Sequence, residues 1–363
     1  MLTITKAGVR KDFRSRRLEE KGMKLALRKE KILYSVVESY ILSGEPVGSK
    51  SLQADFEMKV SSATIRNELA DLTLGGFLIQ PHTSAGRIPT DYGYRYYIDN
   101  LMPKKFLAQS VRDRIYGEMS SAADSPESVL KSACAITSRL LNLACAATTP
   151  SGNGSRVHRI RFVSVSRKTA MAVLVTSSGT VKSGLFRCDF VITLDMLSVF
   201  DKALNEKLSG CPLEELTAPF MQTVAASFGE LALFMPSVLT VILKLAEEAL
   251  SVKTEVAGKM NLLYNPQDMQ SGINALRFLN SPQLAKLLVN KSRNSNVLVG
   301  AEIGIPELKG VSVLMSGYEI SGTKAGVLAV IGPKRMDYSA NLAVLDCVAS
   351  AGSALINELV NEY

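Results

Sequence analysis

Between Arg28 and Gly76 the chain is punctuated into three short amphipathic segments, and this pattern constrains the fold more than any other stretch. From Arg28 to Ser43, Ile32, Val36 and Tyr40 recur four apart with Leu33 and Val37 beside them, which is the apolar stripe of a helix, and Gly44 is its stop. Pro46 and Gly48 then break the chain, and Ser49 can cap a short helix through Phe56 whose buried face is Leu52 and Phe56. After residues 57–60, Ser61 or Ser62 can cap a third helix running to Leu74, ended by Gly75 and Gly76. Phe77–Gln80 reads as a strand and His82–Pro89 as a polar hairpin closed by glycine and proline. Three helices followed by a hairpin is the order of a winged helix-turn-helix.

In the third helix Ile65, Leu69 and Leu72 share one face and pack inward, leaving Ser62, Arg66, Asn67 and Ala70 on the other. That composition suits a major groove. Arginine forks onto guanine N7 and O6, asparagine onto adenine N7 and N6, and small neighbours permit close approach. The candidate DNA contacts are therefore Arg66 and Asn67, with Ser49, Ser61, Ser62 and Thr64 around the helix start. His82, Thr83, Ser84 and Arg87 on the hairpin are candidates for phosphate oxygens. For the helix, the competing reading of a solvated face is weakened by the ordered succession of cap, stop and hairpin; for the hairpin, a plain surface turn stays an open alternative. Tyr92, Tyr94, Tyr96 and Tyr97 sit in an apolar context and are expected to pack against the linker rather than to stack on bases.

Charge points the same way. Of a formal net charge of +8, residues 1–105 hold 18 Lys and Arg against 12 Asp and Glu. The excess is N-terminal, which suits a polyanion partner and equally a solvated charged surface. At 47% hydrophobic and 21% charged residues over 363 positions, two or three globular domains are expected. Five cysteines (Cys134, Cys145, Cys188, Cys211 and Cys347) contain no CxxC pair, and His82 and His158 lie far apart, so neither a metal site nor a cofactor is expected. No P-loop, dinucleotide fingerprint or nucleophile elbow occurs, so no enzyme is expected. The basic N-terminus lacks the apolar core of a signal peptide and no apolar run approaches the length of a membrane span, giving a cytoplasmic protein as the expectation.

Residues 1–27 read as a basic flexible arm and 28–103 as the DNA-binding domain, with Pro103-Lys104-Lys105 a linker. Residues 106–147 read as helical, followed by strands near 157–166, 169–176 and 181–192 and a helix over 194–208. Residues 213–290 read as helices with a broad apolar face, including Phe220, Met221, Phe228, Leu231, Phe234, Leu239, Ile242 and Leu245. Strands resume near 296–301, 310–319 and 324–332, and a helix over 337–361 closes the chain. The expected fold class is thus multidomain α+β with a helical segment inserted into the second domain.

The stretches PVGSKSL, VSSATIRNELADL and QPHTSAGRIPTDYGYRYYID, in this order and spacing, and VLAVIGPKRMDYS near the C-terminus, resemble the HrcA family of heat-inducible transcription repressors. The resemblance covers nearly the whole chain after about Met23. It implies a winged helix over 28–103, a GAF-like domain in two parts, 104–212 and 291–363, and a helical dimerisation segment, 213–290, inserted between them. It further implies repression of chaperone operons of the GroE and DnaK class, through binding of a homodimer to double-stranded DNA at the CIRCE inverted repeat. The GroE chaperonin is implied as a partner that promotes the active form, and no membrane is involved. A ligand-sensing GAF-type regulator of other operons is the alternative. Two departures stand out: Val299–Gly304 where the family has a glycyl, acidic, asparagine-like run, and Leu69 where methionine is usual, a volume-conserving core exchange.

Overall fold

The computed structural model describes residues 25–55, 61–150, 154–229, 235–264 and 269–361. Most of the expected basic arm, Phe56, Leu231 and Phe234 lie outside the described residues. The chain divides into two units, Met1–Pro103 and Lys104–Tyr363.

In the first unit, α1 (Leu27–Ser43), α2 (Ser49–Asp55) and α3 (Ser62–Leu74) are followed by a hairpin of β1 (Leu78–Ile79) and β2 (Ile88–Pro89). Each boundary has its chemistry. Gly44 closes α1 in the left-handed region at φ 75°, donating to the Tyr40 carbonyl, and the Ser61 hydroxyl accepts from the Thr64 amide at 3.2 Å to cap α3. The core joins Ile32, Leu33, Val36 and Val37 of α1, Leu52 of α2 and Ile65, Leu69 and Leu72 of α3, all buried. The tyrosine-rich stretch folds as α4 (Asp91–Tyr96), which continues into a π-helical turn over Tyr97–Leu101. Tyr94 and Tyr97 are buried, and Phe77 stacks against Tyr92 and Tyr96 at ring distances of 4.7 and 5.3 Å. Tyr96 donates to Glu30 at 2.7 Å and Tyr97 to Glu38, so the tyrosines clasp α1.

The second unit holds two sheets with separate cores. Helices α5 (Gln109–Ser120) and α6 (Pro126–Leu141) lead into β3 (Ala144–Thr148). A three-stranded antiparallel sheet follows, β4 (Val157–Ser166), β5 (Thr169–Thr176) and β6 (Val181–Arg187), then α7 (Leu194–Leu208), α8 (Ala218–Ala226) and α9 (Pro236–Leu250). After β7 (Thr254–Ala257), α10 (Met269–Leu279) and α11 (Gln283–Lys291) come β8 (Val297–Val299), β9 (Val311–Ile320), β10 (Thr323–Pro333) and α12 (Tyr338–Asn361). The larger sheet runs β7-β3-β10-β9-β8, every pair antiparallel.

This topology corrects three expectations. Residues 144–148 are a strand, not helix; their small side chains carry little β preference, and all five are buried, so no alternation betrays them. The third strand ends at Arg187 rather than 192, where the chain folds back so that the Ile192 amide reaches the Arg167 carbonyl at 2.8 Å. Third, the inserted segment is not 213–290. Because β3 pairs with β7, the excursion from the larger sheet spans roughly 149–253, and it takes the three strands with it. Its helices do not offer a free apolar face: Met221, Leu239, Ile242 and Leu245 are buried in one core with Ile160, Ala172, Leu174 and Phe200 of the same chain. Helices α10 and α11 instead cover the larger sheet, with Ala275, Leu279, Leu284 and Leu288 buried against Val311, Val313 and Ala329. Sequence periodicity shows that a helix has an apolar face, not which sheet receives it.

On the insert's β4 edge, α7 supplies the missing partners. Asn205 accepts from the Ile160 amide at 2.8 Å and donates to its carbonyl at 2.7 Å, and Asp201 accepts from the Phe162 amide at 2.9 Å. The edge is thereby closed to strand addition at those residues. Helix α12 is long and apolar enough by composition to cross a bilayer over Tyr338–Val360, but half of that span is buried, where it packs on β9 and α6.

Candidate nucleic-acid interface

The site is built on α3, whose two faces are chemically distinct. Ile65, Leu69 and Leu72 are at most 5% exposed, whereas Ala63, Arg66, Asn67 and Ala70 are open to solvent. The inward trio fixes the rotation of the helix: burying each such side chain contributes about 1.5–3 kcal/mol. Arg66 and Asn67 consequently project from a rigid base between two alanines.

The four hydroxyl candidates form a cap network at the start of this helix. Ser61 and Thr64 hydroxyls lie 2.9 Å apart, and those of Ser49 and Ser62 lie 3.3 Å apart, tying the first turn of α2 to that of α3. Ser61 is exposed and Ser49, Ser62 and Thr64 are half-buried. These groups orient the helix as well as bordering its open face.

On the hairpin, His82, Thr83 and Ser84 are exposed at the tip. The tip is braced from within: the Gln80 amide donates to the carbonyls of Thr83 and Ala85 at 2.8 and 3.0 Å, and the Ala85 amide to that of His82 at 2.9 Å. Arg87 stands apart from the other candidates. Its backbone exchanges hydrogen bonds with Val47 at 2.8 and 2.9 Å, and its Nε donates to the Thr73 hydroxyl at 3.0 Å. Arg87 thus fastens the hairpin base to α3 and to the turn before α2. Gly86 makes this contact possible, since a Cβ there would stand 2.5 Å from the Val47 carbonyl group.

Sequence reasoning missed a set of ion pairs flanking α3. Lys29 Nζ lies 2.8 Å from Asp71 and 3.9 Å from Glu68, and Arg28 lies 3.7 Å from Glu68. The hydrogen bond that its ammonium donates to Asp71 raises the pKa of Lys29 above the ordinary value. No spacing rule links residues this far apart in the chain. Only the crossing of α1 and α3 brings them together.

Elsewhere the chemistry is quiet. Among the described residues no cluster of three or more potential metal ligands occurs. Contact with Cys145, together with burial, pushes the Cys134 thiol up, and burial does the same for Cys188, so both thiols are poor nucleophiles at neutral pH.

Comparison with known proteins places these observations. The family profile described as "HrcA protein C terminal domain" matches residues 127–341. A protein of Pelotomaculum thermopropionicum, named heat-inducible transcription repressor HrcA, is 31% identical over 347 residues, covering 93% of this chain and 99% of that relative. One of the same name from Moorella thermoacetica is 32% identical over 346 residues, with the same coverage of 93% and 99%. A crystal structure described only as a hypothetical protein matches the fold with a TM-score of 0.59 at 24% identity, over 92% of this chain and 99% of that one.

Proposed function

We propose, from the premise that this chain belongs to the HrcA family of heat-inducible transcription repressors, that its first unit is a winged helix whose α3 reads an operator in the major groove. Members of this family are transcription repressors, and so DNA-binding proteins rather than enzymes. In the proposed complex Arg66 and Asn67 address base edges, and His82, Thr83 and Ser84 address phosphates, with the serine and threonine network at the start of α3 bordering the groove. The observation that carries this reading is the open face of α3, where an arginine and an asparagine stand between alanines on a helix whose opposite face is locked in a core. Arg87 acts in this scheme mainly by holding the hairpin in place.

The operator is proposed to be the CIRCE inverted repeat ahead of chaperone operons, bound in the cytoplasm by a homodimer, because a two-fold repeat calls for two matching reading heads. The larger antiparallel sheet with α6 and α12 is read as a GAF-like domain, interrupted by the insert. The insert's helices are consumed in their own core, so the dimer surface is assigned to the outward face of the three-stranded sheet. There Val163, Met171 and Leu185 form one cross-strand row, and Val163, Val165, Val181 and Leu185 are each 47–64% exposed. The GroE chaperonin is proposed to raise the DNA-competent fraction; a tenfold change in that fraction corresponds to only about 1.4 kcal/mol.

The test is titration of the purified protein against an inverted-repeat duplex and a scrambled duplex, with and without chaperonin, alongside sedimentation. The expected result is a dimer that prefers the repeat and whose active fraction rises with chaperonin. Equal affinity for both duplexes would remove the operator reading, and an unchanged active fraction would remove the chaperonin.

A further inference from the structure

Asp71 follows Asn67 by four residues, so its carboxylate stands one turn further along the same side of α3, with 54% of its side chain exposed. Glu68 lies on the adjoining flank with 16% of its side chain exposed. Two acids so close to Arg66 and Asn67 are out of place on a surface that meets a polyanion. Double-stranded DNA carries one negative charge per ~1.7 Å of axis, and a Debye length of ~8 Å at physiological salt leaves such a carboxylate unscreened from the nearest phosphates.

The first turn of α1 answers Asp71 with a direct hydrogen bond and Glu68 only at longer range, leaving Glu68 Oε2 without a hydrogen bond. Lys29 Nζ sits 2.8 Å from Asp71 and 3.9 Å from Glu68, and Arg28 Nη1 sits 3.7 Å from Glu68. An exposed pair of this kind contributes at most about 1 kcal/mol to stability, so fold stability alone is a weak reason for its presence. Its position gives a better one.

We propose that Lys29 is a positioning residue for DNA binding: it neutralises Asp71, and with Arg28 the neighbouring Glu68, so that α3 offers Arg66 and Asn67 to the groove without a bare carboxylate one turn away. This rests on the reading of α3 as the recognition helix. Lys29 acts through Asp71, not by touching bases. Its removal therefore weakens operator and random DNA alike, the loss shrinks with salt, and removing Asp71 as well cancels it. A merely structural pair loses affinity when either partner is removed, whereas here removal of Asp71 alone tightens both duplexes.

The experiment measures binding of the full chain to an inverted-repeat duplex and a scrambled duplex at several salt concentrations, for Lys29→Ala, Lys29→Arg, Asp71→Asn, the double variant Lys29→Ala/Asp71→Asn and Arg66→Ala. Lys29→Ala is expected to weaken both duplexes about five- to tenfold at low salt, with the gap closing as salt rises, while Lys29→Arg stays near the parent. Asp71→Asn is expected to tighten both about two- to fivefold, and the double variant to regain at least the parent affinity. A double variant as weak as Lys29→Ala, or a loss that ignores salt, overturns the proposal. If Lys29→Ala fails to fold, Asp71→Asn decides alone: tightening supports the proposal, and unchanged or weaker binding overturns it. Arg66→Ala separates the two readings. Equal losses on both duplexes for that variant end the recognition-helix assignment, whereas a loss confined to the inverted repeat together with a silent Lys29→Ala ends only the role given to Lys29.

Discussion

The open face of α3 and the insert of residues 149–253 spend their apolar and polar residues in opposite ways. Helix α3 buries three side chains and leaves its other face to small and polar groups, so the proposed DNA contacts are residues the core does not need. In the insert, by contrast, α7, α8 and α9 give their apolar faces to a core shared with β4–β6, and what remains exposed is the back of the sheet. An amphipathic helix advertises a surface only after its own chain has taken what it needs. Apolar residues on α8 and α9 look like an interface in sequence and are interior in the structure.

The largest effect expected from this contrast is in deletion. Thr149 and Lys253 are joined by hydrogen bonds of 2.8 and 2.9 Å, so replacing residues 151–251 by a short turn keeps β3 beside β7 and should leave a cooperatively unfolding protein. Deleting 213–290 instead removes β7, α10 and α11 together with half of the insert's core. That loss exceeds the ~5–15 kcal/mol stability of an ordinary domain, and no cooperative transition should survive. Thermal unfolding followed by near-ultraviolet circular dichroism distinguishes the two; a reversed order would put the insert boundary back where periodicity suggested.

Next in size is Leu245→Ala. This side chain is 1% exposed on α9, and its truncation is expected to cost about 2–5 kcal/mol in denaturant unfolding. The ratio of operator to random-DNA affinity, per active molecule, should not move. A changed ratio with unchanged stability would mean that α9 faces a partner rather than its own core.

The smallest effect concerns Arg87. Losing its hydrogen bond to Thr73 should lower stability by about 1 kcal/mol and reduce affinity for operator and random DNA by the same factor, through a loosened hairpin. A loss confined to DNA binding, at unchanged stability, would return Arg87 to the phosphate-contacting role its position in the sequence suggests.

The same contrast explains what the sequence revealed. Helices α1 and α3 have periodic apolar stripes and chemically marked ends, Gly44 and Ser61, and were readable to within a residue. The strands β4, β5, β9 and β10 were readable from their composition and the turns between them. Strand β3, made of small residues and covered on both faces, carried no such signal. Nor did the β3–β7 pairing, which joins residues more than a hundred positions apart and sets the true limits of the insert. Of the candidate site, Arg66, Asn67 and the hairpin tip were legible because exposure follows from helix period and turn chemistry. The engagement of Arg87 with Thr73, the serine pairing of Ser49 with Ser62, and the ion pair of Asp71 with Lys29 were not, because each depends on how separate elements cross.

The reading of α3 is tested most directly by one comparison: equilibrium binding of the parent, Arg66→Ala and Asn67→Ala to an inverted-repeat operator duplex and to a scrambled duplex of equal length, at a single salt concentration. Each substitution should weaken operator binding by about 1–3 kcal/mol while leaving the scrambled duplex almost unaffected, because forked base contacts carry discrimination rather than general affinity. Equal losses on the two duplexes, or no loss on either, would show that the open face of α3 does not read bases.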